Sequence, residues 1–383
     1  MRTRKKSDMR LAVGICSLLL AVFLLPSCRN SRKVCTDCIH EVNVPLLKDD
    51  ITKYPLVSEL FASIDTVYLE NAGLESYVPS VDEVKFIGDT IIVRSSSTLF
   101  FFDRQGRFLK RFNRQGNGYG NYRVIDCFDI LPDRKELYVL DGHNNKIFVY
   151  GMEGSFLRQI DVEDFVTDFA VLADGNILFT NPIKYTDKNY RRGLWLTDAY
   201  GGFVRQLVDF DPEFAHVSIN NPYLCHISPE VTGFMGVEDN DRFYSYSADS
   251  VSVTCRMTTD IVIPDDLKKS DKVFVNPERE YTKCGYMESE HFLYFVATNY
   301  GANLVMAFTD KRDWTTYRMY VYTEDFNYNA ANVEQFPYLV SSYNGTFVGF
   351  FDAGMVFQEE RFREMFPKMK PDSNPVLLLY NDR

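Results

Sequence analysis

Tryptophan is almost missing from this chain, with 2 residues in 383, and histidine is scarce, with 5. Basic side chains also run short. The 42 Lys and Arg against 53 Asp and Glu leave a net charge of −11. That balance excludes a nucleic-acid footprint, because phosphate contacts need clustered cations. Long apolar runs are missing too, apart from Leu11 to Leu25. At about 15 residues that run falls short of the roughly 20 that span a bilayer. Several reaction signatures are absent: G-x-S-x-G, H-E-x-x-H, the Asp-x-Asp-x-Asp-Gly calcium loop and the sialidase repeat Ser-x-Asp-x-Gly-x-x-Trp. Asp239-Asn240-Asp241 comes nearest to a calcium loop and reads as a turn. What the chain has instead is 31 Phe and 24 Tyr within a 45% hydrophobic composition. Such a composition is not that of a disordered chain, and it favours half-buried strands over helical bundles.

The N-terminus reads as an address. Arg2, Arg4, Lys5, Lys6 and Arg10 precede the apolar run, the pattern of a secretory signal. The run ends in Leu25-Pro26-Ser27-Cys28, which resembles the bacterial lipobox. That resemblance implies that residues 1–27 are removed and that Cys28 carries the lipid, making the membrane a partner through the anchor. Cleavage would leave 37 basic and 52 acidic side chains, 37 − 52 = −15. Residues 28–63 then form the lipidated cysteine and a tether, with Arg29 to Lys33 basic and polar. Surface-exported Bacteroidetes lipoproteins often carry an acidic run at this place, so the lipoprotein resemblance, with basic residues here instead, implies the periplasmic side over the cell surface. Cys35 and Cys38 form a C-x-x-C without the second ligand pair of a zinc site, so they read as a local disulfide or two free thiols. Cys127, Cys225, Cys255 and Cys284 stand singly among apolar residues and are expected in the core.

From Ile64 onward, short strand-like runs are broken by Gly, Asp and Asn. Asp103-Arg104-Gln105-Gly106-Arg107-Phe108-Leu109 returns as Gly151-Met152-Glu153-Gly154-Ser155-Phe156-Leu157. It returns again as Asp198-Ala199-Tyr200-Gly201-Gly202-Phe203-Val204. The turn glycines are 48 and 47 residues apart. Each copy reads as a hairpin whose Gly supplies a positive φ, and a second hairpin precedes it at Gly88-Asp89, Pro132-Asp133 or Asp174-Gly175. Two hairpins per repeat make four antiparallel strands, the pattern of a β-propeller blade. Residues 64–383 therefore predict an all-β, six-bladed β-propeller. Val376 to Tyr380 matches a third strand and then the chain stops, so Ile64 to Glu70 is expected to supply the missing fourth strand and close the last blade. Phe357 to Met369 has helical spacing and is expected to pack its Phe and Met face on the rim.

These hairpins resemble the six-bladed, NHL-like β-propeller lipoproteins common in Bacteroidetes. In that family the connection after blade one often reads Gly-x-Gly-Pro-Gly-Glu-Tyr. Here it is Gly116-Asn117-Gly118-Tyr119-Gly120-Asn121-Tyr122, without the Pro and Glu. The resemblance implies an extracytoplasmic binding or scaffold role.

Asp82, Asp126 and Asp168 each start the innermost strand of a blade, 44 and 42 residues apart. Equivalent positions share one rim, so three carboxylates would ring one mouth of the channel and could hold a cation such as calcium. The plainer reading is an Asx-type turn at the start of each strand. His143, His216, His226 and His291 lie in different blades or connections. His226 and His291 are the candidates to join the ring, although each reads first as a structural histidine. The expected function is a lipid-anchored scaffold that binds an unidentified protein or carbohydrate ligand, with no catalysis evident. The alternative is a propeller hydrolase, lactonase or lyase acting on carbohydrate, with a channel metal.

Overall fold

The computed structural model describes residues 39–44, 60–182, 190–210, 224–236, 241–260, 281–299, 303–322, 339–358 and 360–382. Cys28, Cys35, Cys38, His216, Asp239 and Asn240 lie outside the described residues. The expected six-bladed β-propeller is present. Blade one is made of Glu83–Ile87, Thr90–Ser95, Thr98–Asp103 and Phe108–Phe112, paired in that order. The innermost strands of the next five blades are Cys127–Leu131, Asp168–Val171, Leu224–Ser228, Tyr281–Glu288 and Leu339–Tyr343. These six strands meet around the channel.

Burial follows radius. The third strand of blade one, Thr98-Leu99-Phe100-Phe101-Phe102, is buried on both faces because a neighbouring blade covers each side. The fourth strand, Phe108–Phe112, leaves Leu109 and Arg111 exposed, because it is the outer edge. Cores between blades are largely aliphatic and aromatic: Phe100 and Phe102 face the last blade, and Phe101 joins Tyr122, Phe128 and Tyr150 toward blade two.

The repeated turns have the expected backbone. Gly106, Gly154 and Gly201 take φ of 81°, 104° and 86°. A Cβ on Gly106 would lie 2.1 Å from the carbonyl oxygen of Tyr68, so this turn must be Gly for space as well as for φ.

The ring closes as predicted. Ser63–Tyr68 pairs antiparallel with Val376–Asn381, from Ser63 opposite Asn381 to Tyr68 opposite Val376. The buried amide of Asn374 locks this seam. Its Oδ1 accepts from the Val78 amide at 2.8 Å, and its Nδ2 donates to the carbonyls of Glu70 and Ser76. Gly106 adds a bond by accepting from the Glu70 amide at 2.8 Å.

Part of the expected tether belongs to the propeller. His40–Asn43 adds a fifth strand to blade four, parallel to Ser250–Thr258. Val42 and Val44 are fully buried, and the His40 ring stacks on Trp314 with centroids 4.1 Å apart. His-Glu-Val-Asn carries a single apolar residue, too little alternation to mark a strand in the sequence.

The helical segment is two short helices, Ala353–Gln358 and Glu360–Met365. They begin earlier than expected and stop before Phe366-Pro367, because the residue ahead of a proline disfavours helix. Val356, Phe362, Phe366 and Met369 pack against Phe351, Val376 and Leu378, so the apolar face does sit on the last blade. Cys127 and Cys225 are free and buried, Cys255 is buried as well, and the side chain of Cys284 lies outside the described residues.

Candidate functional site at the channel mouth

Four of the five candidate residues line one cavity: Asp82, Asp126, Asp168 and His226. Its position follows from the chain path. Each innermost strand begins at this end, so the connections between blades and between second and third strands gather here. The cavity measures about 50 Å³. A water molecule takes about 30 Å³ of liquid and a drug-sized ligand needs roughly 300 Å³ or more. The space therefore suits an ion or a water or two, not a sugar ring.

Each aspartate holds backbone. Asp82 Oδ2 accepts from the Ser96 amide at 2.6 Å, and Asp126 Oδ2 accepts from the Gly142 amide at 2.7 Å. Both carboxylates thus bracket the turn between the second and third strands of their own blade. Asp168, 4% exposed, reaches the next blade instead, accepting from the Leu224 amide at 3.0 Å. Among the described residues, no group of three or more His, Cys, Asp or Glu is arranged as a metal-ligand set. Burial raises the pKa of Asp126, and the charge of Asp141 adds to that rise.

His291 is not at the mouth. It lies in the turn before the second strand of blade five, at the other end of the ring. Its amide and Nδ1 both meet the Asp382 carboxylate at 3.0 Å, which ties blade five to the last residues of the seam.

Deeper in the channel sits a charge cluster that the strand-start aspartates do not reveal. Asp129 is fully buried. It accepts from Lys85 Nζ at 2.9 Å, from the Val171 amide at 2.7 Å, and pairs with His226 Nε2 at 2.8 Å. Those partners come from blades one, three and four, and the Tyr343 ring of blade six packs against both His226 and Lys85. Burial alone would raise the Asp129 pKa, but His226, Lys85 and the hydrogen bonds hold it well below the usual carboxylate range. Burial likewise acts to lower Lys85, and Asp129, Glu83 and Tyr343 outweigh it, so its pKa stands above the usual lysine value. A periodic signal was available for this cluster. Lys85, Asp129 and Val171 each lie three residues after Asp82, Asp126 and Asp168, so the same 44 and 42 spacings relate them.

Blade five contributes a second buried pair. Glu288, fully buried, accepts from Lys311 Nζ at 2.8 Å and from the Tyr286 hydroxyl. Gly233 makes room for that tyrosine, since a Cβ there would lie 2.1 Å from the Tyr286 oxygen. Neither channel cysteine is a poised nucleophile: burial raises the pKa of Cys127 and of Cys225. One polar group stands apart. Ser342 Oγ is buried in the cavity wall and has no hydrogen-bond partner among the described residues.

With this geometry in hand, comparison with known proteins places the chain. The model of a domain of unknown function, DUF4934, matches residues 42–381. The chain belongs to the DUF4934 family. The match begins inside the His40–Asn43 strand, in keeping with that strand's place in blade four. A putative exported protein of Bacteroides fragilis superposes with a TM-score of 0.70 at 14% identity, over 90% of this chain and 99% of that one. A DUF4221 family member from Bacteroides vulgatus superposes with a TM-score of 0.50 at 11% identity, over 84% and 96%. At these identities the likeness is one of fold. No curated protein matches the chain.

Proposed function

We propose that this DUF4934 propeller is a lipid-anchored binding scaffold that acts outside the cytoplasm and turns over no substrate. The observation that carries this reading is how little space the described residues leave at the channel mouth, about 50 Å³. The channel is where a propeller gathers catalytic groups from several blades, and here Lys85, Asp129 and His226 are spent on one another beneath a water-sized space. A sugar or lactone has no room beside them. The signal segment, the lipobox ending in Cys28 and the exported Bacteroides fragilis neighbour support an extracytoplasmic address. The basic residues after Cys28 favour the periplasmic face. Recognition of a protein or carbohydrate partner then falls to the outer surface of the ring.

Two experiments test this. Growth with an alkynyl palmitate analogue should label the wild type and not Cys28→Ala, and should carry the wild type into the membrane fraction. Equal labelling would overturn the anchor. Purified mature protein should show no hydrolysis of aryl glycosides, aryl esters or lactones beyond that of His226→Gln. Turnover by the wild type that a folded His226→Gln variant loses would overturn the scaffold reading.

A further inference from the structure

We propose that the channel mouth binds one small cation, drawn by the carboxylates of Asp82, Asp126 and Asp168 and completed by the hydroxyl of Ser342. Charge is the first ground. The cavity wall carries four carboxylates, the fourth being Glu83, against two cations, Lys85 and Arg94. Both cations are already shared: Lys85 serves Asp129 and Glu83, and Arg94 bonds Glu83 at 3.1 Å and lies 3.7 Å from Asp82 Oδ2. Among the described residues Asp126 makes no ion pair, and its one bonded oxygen meets a backbone amide. An excess of negative charge at a partly desolvated site attracts a cation and repels an anion.

Ser342 is the second ground. Its hydroxyl is in the wall of this cavity and more than nine-tenths buried, and an unsatisfied buried hydroxyl is costly. An ion, or a water on that ion, would supply the missing partner. Size is the third. About 50 Å³ admits sodium, potassium, ammonium, magnesium or calcium with little water, and excludes a quaternary ammonium such as choline. Because the three aspartates are not arranged as a bare ligand set, water shares the contacts to the ion. The raised pKa of Asp126, due first to burial and then to the Asp141 charge, agrees with a carboxylate at a partly desolvated, negatively charged site.

The test is the melting temperature of mature protein in chlorides of the five small cations, against choline chloride at matched ionic strength. At least one small cation should give a saturable rise on the order of 3 °C over choline, since a ligand that binds only the folded state stabilises it. Asp126→Asn keeps an oxygen for the Gly142 amide and removes the charge, so it should lose the rise. Ser342→Ala should need several-fold more cation for the same rise, and it reads the same contrast if Asp126→Asn fails to fold. Responses no larger than choline, or equal in wild type and both variants, would overturn the proposal. This outcome is independent of whether the propeller turns over a substrate.

Discussion

At the rim, blades one and three use the same hairpin. Asp103 Oδ1 accepts from the amides of Gln105 and Arg107 around Gly106, and Asp198 Oδ1 accepts from the amides of Tyr200 and Gly202 around Gly201. In the channel, the equivalent positions of blades one to three hold Lys85, Asp129 and Val171, a cation, an anion and an aliphatic residue. Repetition at the rim reflects a constraint that blades one to three share, a tight turn with positive φ. Divergence in the channel reflects a constraint the blades meet only together, the pairing of charges from different sheets in a space that water barely enters. The same ring thus carries interchangeable parts outside and mutually dependent parts inside.

If that contrast holds, single channel substitutions should cost most. Asp129→Ala leaves buried Lys85 with only the longer contact to Glu83 and takes the carboxylate from His226, and should destabilise by about 3–5 kcal/mol in denaturant unfolding. The rim can match this only where a turn touches another blade. Gly106→Ala forces a Cβ against Tyr68 at positive φ and should cost about 3 kcal/mol. Asn374→Ala strips three hydrogen bonds from the seam, two of them buried, and should cost about 2 kcal/mol. Gly88→Ala, at φ of 54° with open space around the new methyl, should cost only about 1 kcal/mol. A Gly88 variant as damaged as the Gly106 variant would show that backbone strain, not contact with the closing strand, sets the rim's sensitivity.

The pH dependence sharpens the same contrast. Asp129 is harder to protonate folded than unfolded, so its contribution is present at neutral pH. It is lost as pH falls through and below the ordinary carboxylate range. Lys85, held above its ordinary range, contributes at neutral pH and loses its effect only in strong base. Asp129→Asn should therefore flatten the acid limb of the stability curve relative to wild type.

What the sequence discloses follows the same division. The turn glycines, the four-strand period and the closing strand were legible because each rests on local rules: positive φ, alternation and an unpaired edge. The aspartates at 82, 126 and 168 were legible by spacing, and all three line one mouth. His226 reaches it as well, while His291 does not, because its place in a turn at the other end depends on where a blade begins. The cluster on Asp129 escaped notice although it obeys the same period. Lys85, Asp129 and Val171 differ in chemistry, so no repeat of residue type marks them, and His226 joins them only through the closed ring. The His40–Asn43 strand escaped because its partner lies more than 200 residues away and its own pattern is faint.

The most direct test of the claim that the channel charges serve one another is the unfolding free energy of Lys85→Met, Asp129→Leu and His226→Leu combined, beside that of Asp129→Ala. Apolar replacement of a matched buried cluster is commonly neutral or stabilising. The triple variant should recover to within about 1–2 kcal/mol of wild type. A triple variant as unstable as Asp129→Ala would show that these groups answer to something other than each other.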